Sequence, residues 1–198
     1  RVDKPALVEI AVDAKDSSEV EDWLTAHGIS SGDIVIGIHA GTSPVALARR
    51  WPPERFAATG DALTDGARAK VIFTGAPEDR GLIDDIRGRM KGEALSAAGD
   101  FTLKQFAWLT KRFDVYISLD TGPMHIAAAM GAKVVGLFGP NTPVKWGPYG
   151  AGNIAIYKGL DCGPCTKQYL GQVSKCDRGD CMAAIGVQEV VAAARALL

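Results

Sequence analysis

Short apolar runs rich in β-branched residues alternate with stretches of helical period along most of this chain. The runs 33–39, 71–73, 94–96, 115–119, 133–138 and 154–157 read as strands buried on both faces, and 5–12 alternates weakly enough to read as an entering strand. Between them lie helical signals. Ser18 and Glu21 have capping-box spacing before Val20, Trp23 and Leu24, with Gly28 as the stop. Trp51-Pro52-Pro53 opens a second helix, Leu82, Ile83 and Ile86 mark a third, and Thr102 with Gln105 opens a fourth carrying Leu103, Phe106, Leu109 and Thr110. The last helix shows Val187, Val190, Val191, Ala194 and Leu197 on one face. Strand and helix in regular alternation predict parallel winding: an α/β fold, Rossmann-like, with helices on both faces of the sheet.

The run 115–140, VYISLDTGPMHIAAAMGAKVVGLFGP, concentrates the chemistry. It reads as strand, sharp turn, helix and strand. Asp120 ends the first strand, Thr121 can cap the helix, Gly122 permits close approach, Pro123 suits the first helical position and Gly131 stops the helix. In a parallel βαβ unit the free N–H groups of such a helix face the carboxyl edge of the sheet, which suits a phosphate or diphosphate. A plain strand-to-helix connection explains Thr-Gly-Pro as well, but Asp120 and His125 add little to packing and could orient a polar ligand.

Other loops reach the same edge. Residues 40–50 offer Gly41, Thr42 and Ser43 as hydrogen-bond donors and Arg49 and Arg50 as cations, the alternative being a solvated loop with two surface arginines. Thr74 to Asp79 follows a strand and could place a carboxylate on a ribose; helix capping by Glu78 and Asp79 explains the same residues. The stretch 141–150 is rich enough in Pro and Gly to predict an irregular loop over the carboxyl edge.

Composition narrows the field. At 198 residues the chain fits a single domain (1–198), or one large domain with a small appendage, and excludes two full Rossmann-like halves. With 22 basic and 23 acidic residues the net charge is -1, which gives no electrostatic case for nucleic acid. No apolar run approaches the ~20 residues of a transmembrane segment, and the absent initiator Met suggests a fragment or a processed chain. Four cysteines in an ordinary α/β composition point to a reducing, intracellular compartment. Cys162, Cys165, Cys176 and Cys181 fall in a loop insertion, 158–184, spaced C-x2-C, ten residues, C-x4-C. Two such pairs can hold a structural zinc, with free thiols or disulfides as the alternatives. Cys162-Gly163-Pro164-Cys165 also matches a thioredoxin redox motif, but it does not open a long helix after a first strand.

The string DTGPMHIAAA with GLFGP downstream resembles the donor-binding segment of the lipopolysaccharide heptosyltransferases, glycosyltransferase family 9, with its D-[ST]-G-x-x-H-x-x-A-A motif and G-P loop. The resemblance runs from about Ile34 to the end and implies the C-terminal half of a GT-B fold, an N-terminal acceptor domain being absent. It implies a nucleotide-sugar donor, typically ADP-heptose, held by Thr42, Ser43, Arg49, Asp79, Asp120, Thr121, Gly122, Pro123, Met124 and His125. Arg49 stands where family members often carry Lys before Trp-Pro, and the acid at Asp79 matches the family's spacing after the strand glycine. Transfer would need no cofactor. The catalytic base and the site for a lipopolysaccharide-core acceptor belong to the missing half, so this chain alone is expected to be inactive in transfer. The implied location is cytoplasmic, at the cytoplasmic face of the inner membrane. Two rival readings stay open: a sugar-nucleotide epimerase or hydrolase half, and a non-catalytic nucleotide-binding module.

Overall fold

The computed structural model describes residues 10–65, 69–166, 174, 176 and 178–198. Six strands, β1 (Ile34–His39), β2 (Ala69–Thr74), β3 (Leu95–Ser96), β4 (Val115–Leu119), β5 (Lys133–Phe138) and β6 (Ile154–Tyr157), form one parallel sheet in the order β3-β2-β1-β4-β5-β6. The order reverses between β1 and β4, the place where open α/β sheets bind ligands. The Rossmann-like α/β expectation therefore holds, and strands β4, β5 and β6 fall where the pattern puts them.

Helices α1 (Ala14–Ala26), α4 (Leu103–Thr110) and α5 (Gly122–Ala129) cover one face; α2 (Pro53–Thr64), α3 (Arg80–Arg89) and α8 (Val187–Leu197) cover the other. The alternation of side chains along a strand splits the core accordingly. Ile36, Ile38, Val71, Phe73, Ile117 and Leu137 meet the second group, and Val35, Ile72, Tyr116, Val134 and Phe138 meet the first. One glycine is needed for this packing. A Cβ on Gly37 would come within 2.5 Å of the Tyr116 ring and 2.6 Å of the Phe113 ring, so the two stacked aromatics lie where β1 has no side chain.

Local capping departs from expectation at several points. Helix α1 begins earlier than Ser18: Asp13 is its N-cap, accepting the Asp16 N–H at 2.8 Å. Of the expected entering strand, 5–9 lies outside the described residues and 10–12 has no strand. The Thr102–Gln105 box forms in both directions, and Gly131, at φ 92°, ends α5 as expected. Within 40–50, Leu47–Arg49 makes a 3-10 turn, and within 141–150, expected to be irregular, Thr142 caps a one-turn helix α6 (Pro143–Trp146). A short helix α7 (Asp180–Ala183) precedes α8.

Candidate functional site

A cleft of about 810 Å³, within the usual range of ligand pockets, opens at the carboxyl edge around the strand-order reversal. Its walls come from four segments: the loop after β1, with Thr42, Ser43, Arg49 and Arg50; the turn after β2, with Gly75, Glu78 and Asp79; the stretch from Ala97 to Phe106; and the first residues of α5, Thr121, Gly122 and Pro123. Seven expected site residues thus meet: Thr42, Ser43, Arg49, Asp79, Thr121, Gly122 and Pro123. A Cβ on Gly122 would meet only open space, so the start of α5 is bare. Thr42 Oγ1 is buried and has no hydrogen-bond partner among the described residues, a costly state that a ligand group would relieve.

Asp79 is held from three sides. Its Oδ2 accepts the Ala76 N–H at 2.9 Å, and neither Gly41 nor Gly75 has room for a Cβ beside it. The capping and ligand-facing readings of this carboxylate are therefore compatible, because Oδ1 keeps its lone pairs. Glu78 is exposed on the rim.

Asp120, Met124 and His125 are placed otherwise than expected, outside the residues lining the cleft. Asp120 is 4% exposed and works behind the wall. Its Oδ2 accepts from Asn141 Nδ2 and lies 3.6 Å from Arg49 Nη1, which donates to the Asp120 carbonyl at 2.8 Å. Asp120 thus orients the cation that faces the cleft. Met124 is fully buried beneath the sheet-facing side of α5, where its N–H is taken by the Thr121 carbonyl. Its side chain packs in the core because position 124 falls on the inner stripe of the helix. His125 is one residue further round, half-buried. Thr121 occupies the N-cap position, yet its hydroxyl donates to the Leu119 carbonyl at 3.3 Å and caps nothing.

A second, smaller cavity of about 90 Å³ adjoins this edge, lined by Cys162, Cys165, Cys176 and Cys181 with Ala48, Gly139 and Pro140. The four are free thiols, and burial pushes the Cys181 thiol upward. Among the described residues no three His, Cys, Asp or Glu side chains are gathered closely enough to hold a metal ion. The cysteines share a wall without forming a ligand set. The rest of the expected insertion, 167–173, 175 and 177, lies outside the described residues.

A larger groove, about 1300 Å³, lies at the opposite edge of the sheet. Three of its charged side chains are already partnered: Lys70 pairs with Asp33 at 3.0 Å, Asp61 accepts the Lys91 and Gly92 N–H groups, and Arg87 donates to the Ala94 carbonyl. The carboxyl-edge cleft, with its orphaned hydroxyl and bare helix start, is the better ligand site despite being smaller.

The family model of glycosyltransferase family 9 (heptosyltransferase) matches residues 2–172. The chain belongs to glycosyltransferase family 9. Lipopolysaccharide core heptosyltransferase OpsX of Haemophilus influenzae is 35% identical over 81 residues, 40% of this chain and 23% of that protein. Lipopolysaccharide heptosyltransferase 3 of Escherichia coli K12 is 27% identical over 150 residues, 75% of this chain and 42% of that protein. A solved family 9 glycosyltransferase from Veillonella parvula superposes with a TM-score of 0.86 at 27% identity, covering 100% of this chain and 55% of that one. The E. coli ADP-heptose heptosyltransferase II matches with a TM-score of 0.74 at 24% identity over 96% of this chain and 53% of that one, a likeness of fold. The family 9 chain thus spans about half the length of these solved relatives and less of the curated ones.

Two residues in or behind this cleft escape a reading of the sequence. Asn141, 1% exposed, follows the GLFGP loop and fastens Asp120. His39, 7% exposed, ends β1 and lines the cleft. Its Nδ1 lies 3.3 Å from Thr74 Oγ1, which lies 2.8 Å from the Tyr116 hydroxyl. Burial pushes the imidazole below its ordinary range, outweighing the Asp79 charge that acts the other way. The one signal in the sequence is a histidine closing an otherwise apolar strand.

Proposed function

We propose that this chain is the donor-binding half of an inverting glycosyltransferase of lipopolysaccharide core biosynthesis, and that its donor is a nucleotide-diphosphate sugar, ADP-heptose first among candidates. The observation that carries the reading is the meeting of Thr42, Ser43, Arg49, Asp79, Thr121, Gly122 and Pro123 around one cleft at the strand-order reversal. The start of α5 and Arg49 suit a diphosphate, and Asp79 suits a ribose. That the E. coli heptosyltransferase WaaC has been solved with ADP fits the same choice of ligand.

Inverting transfer needs a base on the acceptor hydroxyl and stabilisation of the leaving diphosphate. Arg49 and the N–H groups at the start of α5 supply the second. The base and the site for a lipopolysaccharide-core acceptor belong to an N-terminal half, so transfer by these 198 residues alone stays at background. No cofactor takes part in transfer. No described helix is long and apolar enough to cross a membrane, and the reading puts the enzyme at the cytoplasmic face of the inner membrane.

Calorimetric titration with ADP, UDP and ADP-heptose, followed by assays of hydrolysis and transfer, tests this reading. Binding of ADP and ADP-heptose with background turnover is expected. Hydrolysis by the chain alone would favour a hydrolase half instead, and binding that ignores the sugar would favour a plain nucleotide-binding module. As a structural addition, zinc would draw the four thiols together and clip 158–184 to the domain; near one zinc per chain after reducing purification supports this, and none removes it.

A further inference from the structure

The thiol cavity and the wall of the cleft that holds Arg49 are built back to back. Ala48, Gly139 and Pro140 line the cavity together with Cys162, Cys165, Cys176 and Cys181. Ala48 precedes Arg49, and Pro140 precedes Asn141. Those two neighbours are the residues that meet on Asp120 behind the cleft: Asn141 donates to its carboxylate, and Arg49 donates to its carbonyl at 2.8 Å. The segment after Arg49 is tied to the same side. Trp51 donates its indole N–H to the Ile185 carbonyl at 3.1 Å, and Arg55 donates to the Ala183 and Ile185 carbonyls at 2.5 and 2.6 Å, at the end of the α7 turn that carries Cys181. A Cβ on Gly139 would lie 2.9 Å from Cys181 Sγ and 2.5 Å from Met182 Sδ, so the wall has no slack. A shift in it passes on to Arg49 and Asn141.

The thiols differ in access. Cys162, Cys165 and Cys176 are exposed, and Cys181 is half-buried. Cys165 donates its S–H to Ser174 Oγ at 3.2 Å, and the same hydroxyl oxygen accepts the Cys176 N–H at 3.2 Å. Burial pushes the Cys181 thiol upward, and among the other thiols Cys165 adds most to that shift. The exposed Cys165 therefore meets an oxidant from solution first, and Cys181 is the neighbour placed to resolve it.

We infer that the cluster is a modification site for hydroperoxides, where a Cys165–Cys181 disulfide draws Arg49 off Asp120 and lowers the affinity of the cleft for a nucleotide diphosphate. The affinity part rests on the donor reading above. The Cys165 sulfur attacks one peroxide oxygen: an S–O bond forms, the O–O bond breaks, and the departing hydroxide takes the Cys165 proton, leaving a sulfenic acid. The Cys181 sulfur then attacks that sulfur: the S–S bond forms, the S–O bond breaks, and water leaves with the Cys181 proton. Two thiols lose two electrons and two protons, and one hydrogen peroxide becomes two waters. Bonded sulfurs sit about 2.05 Å apart, well inside the contact distance of two free thiols, so the cavity narrows on that side. A hydrogen bond of 2.8 Å, such as that of Arg49 on the Asp120 carbonyl, is lost with a displacement of about 1 Å.

The test titrates the reduced chain with hydrogen peroxide, maps disulfides by mass spectrometry of its peptides, and follows ADP affinity by calorimetry before oxidation, after it, and after re-reduction with dithiothreitol. A Cys165–Cys181 disulfide, ADP binding about tenfold weaker, and recovery on re-reduction are expected. Cys165→Ser and Cys181→Ser should each remove the response, and Cys162→Ser should keep it. A disulfide joining another pair, or a response that survives Cys181→Ser, would overturn the assignment of the pair. An ADP affinity that holds within twofold once that disulfide has formed would sever the cluster from the cleft. Nitrogen-15 NMR of the Arg49 Nε–H, assigned through Arg49→Lys, gives a readout without nucleotide. Its signal should move on oxidation and return on reduction, and a fixed signal would refute the displacement. Should the reduced chain bind no ADP, the donor reading falls, and the disulfide map with the Arg49 signal still decides whether the thiols move that arginine.

Discussion

The two cavities at the carboxyl edge differ in how their walls are held. The cleft is bounded by the ends of β1, β2 and β4 and the start of α5, so the ladder register that aligns His39 with Thr74 and with Ser118 also fixes the height of each wall. The thiol cavity is bounded mainly by irregular chain, tied to the sheet by the Thr166 N–H on the Pro140 carbonyl at 3.0 Å and by the packing of Cys181 and Met182 against Gly139. The regions touch at one turn, where Ala48 lines the thiol cavity and Arg49 the cleft. Chemistry on regular elements is positioned by backbone hydrogen bonds, whereas chemistry on loops needs a further constraint.

The comparison can be broken first at Asp120. Asp120→Ala removes the buried partner of both Asn141 and Arg49, whose side chain is 12% exposed, and should cost about 3 kcal/mol by urea denaturation while weakening nucleotide binding. A cost below about 1 kcal/mol would mean that the cleft does not depend on this network. Next in size, Arg49→Ala should weaken ADP binding by roughly ten- to a hundredfold, since charge-assisted bonds to phosphate are typically worth about 1.5–3 kcal/mol. A loss of less than about threefold takes Arg49 out of the site.

The thiol side is probed by Gly139→Ala. The added Cβ would sit 2.5 Å from Met182 Sδ and 2.9 Å from Cys181 Sγ, so overpacking should cost about 1–3 kcal/mol. Nucleotide affinity should hold within twofold if the two cavities are independent; a fall in step with stability would make them one unit. The smallest effect concerns pH. His39 has a folded pKa below its ordinary 6.5, so the unfolded chain binds the proton more tightly and stability is full above that value. As pH falls below 6.5, towards the folded pKa, stability should drop by at most about 1.4 kcal/mol per pH unit. His39→Gln should flatten that part of the profile, and an unchanged slope would assign it to other groups.

Periodicity and turn chemistry made the strands, most helices and the segment around Asp120 legible, because burial on both faces of a parallel sheet leaves continuous apolar runs between punctuating Gly and Pro residues. Local motifs were less decisive where two of them competed. Ser18 with Glu21 and Asp13 with Asp16 both offer cap spacing ahead of Val20 and Leu24, and the structure uses Asp13. The pattern located Asp120 and Met124 beside the ligand edge but could not tell which way they face: the first turns back to Asn141 and Arg49, the second into the core.

The sequence by itself determined the α/β class, the family and the loops that reach the carboxyl edge, since these follow from local pattern and from one contiguous motif. Only the tertiary structure decided the roles of His39 and Asn141 and the proximity of the four thiols. His39 meets Thr74 across 35 positions and Thr74 meets Tyr116 across 42, so that hydrogen-bond chain exists only after three strands have paired in register. Spacing along a chain fixes which residues are near neighbours in one element. Which lone pair a buried hydroxyl offers, and to whom, is settled by the strands on either side.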